Sequence, residues 1–375
     1  MSTATPAYSP GLEGVIAGET AVSTVEDGLR YRGYPVGELV ERCSFDEVAY
    51  LLIYTDLPTA SQLKGFQERT AMARRLPNAV KDLFAALPKF TTPLDALRTA
   101  VSALSGYDQD AADNSTEANQ RKAERLLAQM PVAVADFARV NAGLQPVMAR
   151  PDLGSTANFL YMFRGTEPTL EEVKALDVSL ILYAEHEFNA STFTARVIVS
   201  TMSDLHSGVV GAIGALKGPL HGGANEKVMD VVKSAGGPAN AEKWTLEALA
   251  RKERIMGFGH RVYKSGDVRA GIIKPYVQKA AAATNNLQWE ETADIIEATM
   301  AREKKMYPNV DWPAGRMYHA MNLPIPIYTP MFAMSRITGW SAHVIEQLAN
   351  NRLIRPRGLY NGAGPRSVKP IAERG

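Results

Sequence analysis

Helix-start signals recur along this chain, and they restrict it to a mainly α architecture. Ser44 with Glu47 forms a capping box ahead of VAYLLIY, and Thr59 with Gln62 forms another ahead of LKGFQERTAMARRL. Thr169 with Glu172 opens the apolar run VKALDVSLILYAEH. In each, the hydroxyl oxygen can accept the N–H three residues on, while the Glu or Gln returns to the cap N–H. Thr92 followed by Pro93 opens LDALRTAVSAL with proline at the first helical position, where its missing N–H is harmless. Further helices are predicted over TLEALARKERIM (residues 245–256), IKPYVQKAAAATNN, residues 290–306 and TPMFAMSRITGWSAHVIEQLANNRL. The small residues of STFTARVIVSTMSD and HSGVVGAIGALKG predict close packing of two helix backbones. Residues 1–35, punctuated by Gly and Pro, predict short strands or an extended arm. The polar stretch 108–120 predicts a surface loop feeding a helix from about residue 114 that Pro131 should interrupt or kink. No internal repeat and no parallel-sheet pattern is present.

Composition removes several function classes. A net charge of +1 gives no reason to expect nucleic acid or a membrane surface as partner. The single cysteine, Cys43, excludes an internal disulfide and Cys-rich zinc patterns, and it fits a reducing compartment. The first residues show neither a basic nor an apolar leader region, and no run approaches the roughly 20 apolar residues that span a bilayer. The expectation is a cytoplasmic enzyme or binding protein.

All six histidines lie after residue 185, and two sit among glycines: His221 in KGPLHGGANE and His260 in MGFGHRVYKSGDVR. Glycine costs roughly 0.5–1 kcal/mol relative to alanine inside a helix or strand. Such clusters therefore mark special backbone angles or close approach to something bound. ANEKVMDVV reads as a helix, which puts His221 near a helix N-terminus, where partial positive charge disfavours imidazolium. A satisfied turn histidine is the commoner explanation of a lone case. After His260 come Arg261, Lys264 and Arg269, either a solvated basic face or an anion site; Arg269, in DVRAG, can offer a fixed fork to a carboxylate. Asp311 in NVDWPAG precedes a Pro-Ala-Gly turn and has Trp312 beside it. An aromatic wall would desolvate the carboxylate and make it a better base, although a turn-capping aspartate explains the tripeptide equally. His186 in AEHEFNAS, Arg336 in MSRITGW and Arg355 in LIRPRG are weaker single signals. The chain has no HExxH, GxSxG or strand-borne GxGxxG, which leaves metallohydrolase, serine hydrolase and dinucleotide chemistry without support. Two histidines able to stay neutral, one aspartate and several arginines suit proton abstraction next to a carbonyl.

GPLHGGANE, GFGHRVYK with DVRAG, NVD, SRITGW and LIRPR, in this order, resemble citrate synthases of the shorter bacterial and archaeal type, as do RYRGYPVGEL and AEHEFNASTF. The resemblance runs from about residue 11 to 361. It implies an almost wholly α-helical, two-domain homodimer, with a large domain of residues 1–218 continued by 320–375 and a small mobile domain of 219–319. It further implies that His221 hydrogen-bonds the acetyl-CoA thioester oxygen, Asp311 removes a methyl proton, and His260 polarises the oxaloacetate ketone. His186, Arg269 and Arg336 would hold the substrate carboxylates, with Arg355 reaching the same site from the partner subunit. Met256, Gly257, Phe258, Gly259, Arg261 and Lys264 would bind coenzyme A. No cofactor or metal is implied, since the CoA thioester is a substrate, and oxaloacetate would close the small domain onto the large one before CoA binds. Three positions depart from the usual pattern: Val268 replaces the proline of DPR, Glu187 places a negative charge beside the dianion site, and Trp312 stands after the catalytic aspartate. 2-Methylcitrate synthase, acting on propionyl-CoA with the same residues, is the alternative. A scaffold protein that keeps the fold without turnover is the alternative from another class.

Overall fold

The structure is a computed structural model that describes residues 8–259, 263 and 266–374. The amino-terminal arm makes a 3-10 turn at Pro10–Leu12, then an antiparallel meander of β1 (Ser23–Thr24), β2 (Arg30–Tyr31) and β3 (Tyr34–Pro35). Sixteen α-helices follow among the described residues. They are α1 (Val36–Arg42), α2 (Phe45–Tyr54), α3 (Ala60–Ala73), α4 (Asn78–Ala86), α5 (Pro93–Ser105), α6 (Thr116–Asn141), α7 (Ser155–Arg164) and α8 (Leu170–Tyr183). Then come α9 (Ala190–Val199), α10 (Leu205–Leu216), α11 (Ala224–Ser234), α12 (Pro238–Ala250), α13 (Val268–Ala283), α14 (Leu287–Lys304), α15 (Asp311–Ala320) and α16 (Tyr328–Ala349). The tail after α16 is largely exposed and extended, with a 3-10 turn at Ile371–Glu373. No helix among the described residues is long and apolar enough to cross a membrane.

The predicted capping boxes form at α2, α3 and α8, each with both reciprocal hydrogen bonds. Helices α1 and α4 begin after Pro35 and Pro77, which offer no side-chain oxygen, so no start signal announces them. Two expectations need correction. Helix α6 runs unbroken through Pro131, because its flanks Met130, Val132, Ala133 and Val134 are buried and their packing outweighs the roughly 3 kcal/mol a mid-helix proline costs. The TLEALARKERIM helix starts earlier, at Pro238, and ends at Ala250, with Lys252 in left-handed backbone just beyond. The polar stretch 108–120 does open as a surface loop that feeds α6 from Thr116, and ion pairs hold it: Arg125 clamps Asp108 and Asp110 at 2.6 and 2.7 Å, and Arg121 takes the other oxygen of Asp110.

Two hydrophobic clusters organise the chain. The larger joins α2, α5, α6, α8, α9, α10 and α16. The smaller joins Val228, Met229 and Val232 of α11 to Ala293 and Ile296 of α14 and to Trp312. Helices α13 and α15 pack into the larger cluster through Ile273, Val277, Met317 and Tyr318, while Trp312 of α15 belongs to the smaller one. Helix α16 is buried on every side from Tyr328 to Ile345, as expected for a helix without a polar face. Gly339 makes this possible where α16 meets the end of α8: a Cβ there would overlap the Ala184 carbonyl and the Glu185 carboxylate. That close approach brings Arg336, one turn earlier, against the segment that carries His186.

Candidate active site

The turn at residues 184–189 separates the C-terminus of α8 from the N-terminus of α9, and most of the candidate groups gather around it. Asn189 is the N-cap of α9. Its Oδ1 accepts the Thr192 N–H at 3.1 Å and the Ser191 hydroxyl at 2.8 Å, and its Nδ2 donates to the carbonyls of His186 and Glu187. His186 is buried in this turn, with its ring edge-on to Tyr263 at 5.5 Å between centroids. Glu187 has φ of 53°, left-handed backbone that favours glycine. Its half-buried carboxyl is raised by desolvation and by the nearby Glu185 and Glu26 charges.

His221 reaches this same helix start. The Ser191 backbone N–H donates to its Nε2 at 3.4 Å, and the Ser191 hydroxyl lies 2.8 Å from the same nitrogen. The Ser191 N–H makes Nε2 an acceptor, which leaves the proton of a neutral ring on Nδ1; the Ser191 hydroxyl, which donates to Asn189, does not decide the tautomer. Burial, helped by the Arg336 charge, lowers the His221 pKa to about 4, so the imidazole is neutral at pH 7. The sequence argument anticipated a helix N-terminus, but the helix is α9 across the site and not α11, which follows in the chain. The glycine after it has an internal reason, since a Cβ on Gly222 would come 2.6 Å from the Leu216 carbonyl.

Asp311 is the first residue of α15, and its N–H donates to Asn309 Oδ1 at 3.1 Å. The Pro-Ala-Gly that reads as a turn lies inside this helix. Proline is tolerated there because first-turn N–H groups need no intrahelical acceptor. Desolvation raises the Asp311 carboxyl to about 6, against opposing effects from the Tyr183 hydroxyl and the Arg269 charge. Tyr183 Oη donates to Asp311 Oδ1 at 2.7 Å. Trp312 is not the desolvating wall. It is fully buried in the smaller cluster against Phe258, with its indole N–H bound to Glu297 at 2.8 Å.

The two candidate arginines beside these groups are both buried. Arg269 extends its Nε and Nη2 to Asp267 at 2.7–3.2 Å, and Asp267 also caps α13 and accepts the Val310 N–H. The fork expected to face a ligand is thus half occupied by a neighbour two residues away. Arg336 donates Nε to the Tyr183 carbonyl at 2.5 Å, and its guanidinium lies 4.7 Å from the Phe332 ring centroid. Among the described residues it has no ion-pair partner. Tyr31 of β2, also buried, donates to the carbonyls that end α8. Arg355 stands exposed on the tail, one residue after Ile354 N–H is anchored to Ser200 Oγ at 3.1 Å, and among the described residues it bonds to none of the other candidates.

Of the expected coenzyme A residues, Met256, Gly257, Phe258 and Gly259 form a strip zipped to the segment leading into Asp311. Gly259 N–H donates to the Tyr307 carbonyl, and Asn309 N–H donates to the Gly257 carbonyl, each at 2.9 Å. Gly257, with φ of 88°, packs so closely on Trp312 that a Cβ would come within 2.9 Å of the indole. His260, Arg261 and Lys264 lie outside the described residues. A cavity of about 270 Å³ lined by Gly259, Tyr263, Asp267, Lys305 and Tyr307 opens beside the strip. A larger one, about 650 Å³ between the amino-terminal arm and the end of α16, includes none of the candidate residues, so volume alone does not mark the site. Sequence reasoning did not single out Tyr183, Asn189, Ser191, Asp267 or Tyr31. Asn189 and Ser191 were findable as an Asn-x-Ser helix cap directly after His186, and Asp267 as the carboxylate two residues before Arg269; Tyr183 and Tyr31 look like ordinary core positions. Among the described residues, no group of three or more His, Cys, Asp or Glu side chains is arranged to hold a metal ion.

Arranged this way, the groups supply a neutral hydrogen-bond donor, a carboxylate of raised basicity and two buried cations, a set suited to enolisation and dicarboxylate recognition. Comparison with known proteins agrees with that chemistry. The family model described as citrate synthase, C-terminal domain, matches residues 11–357. Citrate synthase 2 of Bacillus subtilis is 46% identical over 366 residues, covering 97% of this chain and 98% of its own. The 2-methylcitrate synthase of Mycobacterium tuberculosis is 46% identical over 360 residues, covering 95% and 91%. A solved ternary complex of Thermoplasma acidophilum citrate synthase with carboxymethyl coenzyme A and oxaloacetate superposes with a TM-score of 0.93 at 34% identity, covering 98% of this chain and all of the other. The chain belongs to the citrate synthase family.

Proposed function

We propose that this protein is a citrate synthase, condensing acetyl-CoA with oxaloacetate and water to give citrate and coenzyme A. The observation that carries the reading is the pairing of a histidine held neutral at a helix N-terminus with an aspartate raised to about 6, both beside buried arginines. His221 donates from Nδ1 to the thioester oxygen as negative charge develops there, while Asp311 removes a methyl proton. The enol carbon attacks the ketone carbon of oxaloacetate, and His260 gives a proton to the ketone oxygen. Arg269, Arg336 and His186 hold the two carboxylates. Water then hydrolyses the citryl thioester, and the thiol of coenzyme A leaves.

Coenzyme A lies along Met256, Gly257, Phe258 and Gly259, with Arg261 and Lys264 on its phosphates. The smaller hydrophobic cluster, whose buried members all fall between Val228 and Trp312, supports a small domain of 219–319 beside a large one of 1–218 with 320–375. Oxaloacetate draws the two together, so binding energy assembles the thioester site. The exposed tail, with Leu353, Leu359 and Tyr360 open to solvent, supports a homodimer in which each Arg355 enters the partner's site. A cytoplasmic location fits the single free cysteine.

One observation favours a second reading. A 2-methylcitrate synthase matches this chain at the same identity as a citrate synthase, and one extra methylene is worth only about 1–3 kcal/mol in a pocket. Thiol release in the presence of oxaloacetate, with acetyl-CoA and propionyl-CoA compared by kcat/KM, distinguishes them. Preference for acetyl-CoA by tenfold or more is the expected result. Comparable or reversed values would replace the assignment with the methylcitrate activity, and no release with either would favour a scaffold.

A further inference from the structure

Asp311 is touched by one side chain that the enol chemistry does not by itself require. Tyr183 ends α8, and its ring is buried against Phe332 with centroids 4.4 Å apart. Its hydroxyl donates to Asp311 Oδ1 at 2.7 Å, and its carbonyl accepts the Arg336 Nε at 2.5 Å. Among the described residues no donor meets Asp311 Oδ2. We propose that Tyr183 is a positioning residue for the base: its hydroxyl occupies Oδ1 and reserves Oδ2 for the substrate proton, while its carbonyl fixes the arginine that anchors the dicarboxylate. The proposal rests on the reading of Asp311 as the base.

The geometry argues for this role on two counts. A carboxylate is free to rotate about its last torsion, and a single strong donor on one oxygen stops that rotation. The donor is itself immobile, because the ring that carries it is packed in the core and the backbone behind it is bonded to Arg336. The hydrogen bond also runs from α8 to α15, between the proposed large and small domains. The base is therefore aligned only while those helices keep this relation.

The groups facing Asp311 are Tyr183 from α8, Asp267 and Arg269 at the start of α13, Arg336 from α16, and Tyr318 two turns along α15. Of these, only Tyr183 hydrogen-bonds the carboxylate among the described residues. A bond to the ionised form favours that form, so removing it makes the base hold its proton to higher pH.

The test is the pH profile of thiol release by Tyr183→Phe, which keeps the ring and its contact with Phe332. The acid limb of kcat should move up by about one pH unit, the size of a hydrogen bond to a charged group. At pH 5.5 that is a fall of about tenfold, with recovery to within about threefold of the parent above pH 8. KM for oxaloacetate should stay within about threefold. Tyr318→Phe, which loses an equally buried hydroxyl near Ser179, should leave the limb in place. A loss in Tyr183→Phe that is uniform with pH, or an equal shift in Tyr318→Phe, would overturn the proposal. Absence of oxaloacetate-dependent release in the unsubstituted protein would instead overturn the reading of the site on which it rests.

Discussion

Arg269 and Arg336 are buried to the same degree, at 4% and 1% exposure, yet the protein treats them in opposite ways. Arg269 is paired with Asp267, which holds its guanidinium firmly protonated despite burial. Arg336 has only a carbonyl, a ring face and the more distant Glu185, itself engaged by His343 and Ser23, and desolvation pulls its pKa down to about 10. It remains charged at neutral pH, at a desolvation cost that Glu185 offsets only in part and that no direct ion pair among the described residues relieves. A paired arginine orients, whereas an unpaired buried one attracts an anion. Of the two arginines proposed to hold the carboxylates, Arg336 is thus the one whose burial an anionic ligand would most directly offset.

Substituting each arginine by methionine sharpens the contrast. Arg269→Met takes the guanidinium from buried Asp267 and should destabilise the fold by about 3 kcal/mol, read as a lower denaturation midpoint. Arg336→Met removes an unpaired buried charge. It should leave the midpoint unchanged or raise it, while weakening oxaloacetate binding by over a hundredfold in calorimetry, the loss of about 3 kcal/mol typical of a buried charged contact. Equal destabilisation by both would break the comparison.

The same two cations bear on the candidate base and donor, and here the effects are smaller. Asp311 has a folded-state pKa of about 6 against an ordinary 3.8, so the folded protein favours its protonated form. Its contribution to stability is fully present below 3.8 and is lost as pH rises through about 6. His221 is the reverse: its pKa falls from 6.5 to about 4, so its contribution is present above 6.5 and is lost as pH falls through about 4. Melting temperatures between pH 4 and 8 should therefore show Asp311→Asn gaining on the parent as pH rises, and His221→Gln gaining as pH falls. Curves parallel to the parent would mean that neither group is perturbed.

Much of this architecture is legible in the residues, and the exceptions have physical causes. Helices whose first N–H groups are satisfied by a side chain can be read from Ser44, Thr59, Thr92 and Thr169, whereas α1 and α4 begin after prolines and cannot. Pro131 misleads because a local cost is weighed against packing that only the fold reveals. In the candidate site, the motifs around His221 and Asp311 single them out, but burial and the Arg336 charge keep His221 neutral, and the helix start it meets is not that of α11, which its flanking sequence suggested. Which helix supplies it was not recoverable, because Ser191 is 30 residues away. Trp312 looked like a wall for the carboxylate only because adjacency in sequence was taken for contact. Consecutive residues of a helix point about 100° apart, and Trp312 faces the other cluster. Tyr183 carried no signal, since a tyrosine in an apolar run is ordinary core until its hydroxyl is seen to meet a charge.

Asp311→Asn tests the account most directly, because asparagine keeps the shape and removes the base. Thiol release from acetyl-CoA with oxaloacetate should fall about a thousandfold in kcat, while the oxaloacetate dissociation constant, measured on the same preparation, changes by less than about threefold. Turnover near that of the parent would contradict the assignment of Asp311 as the group that removes the proton.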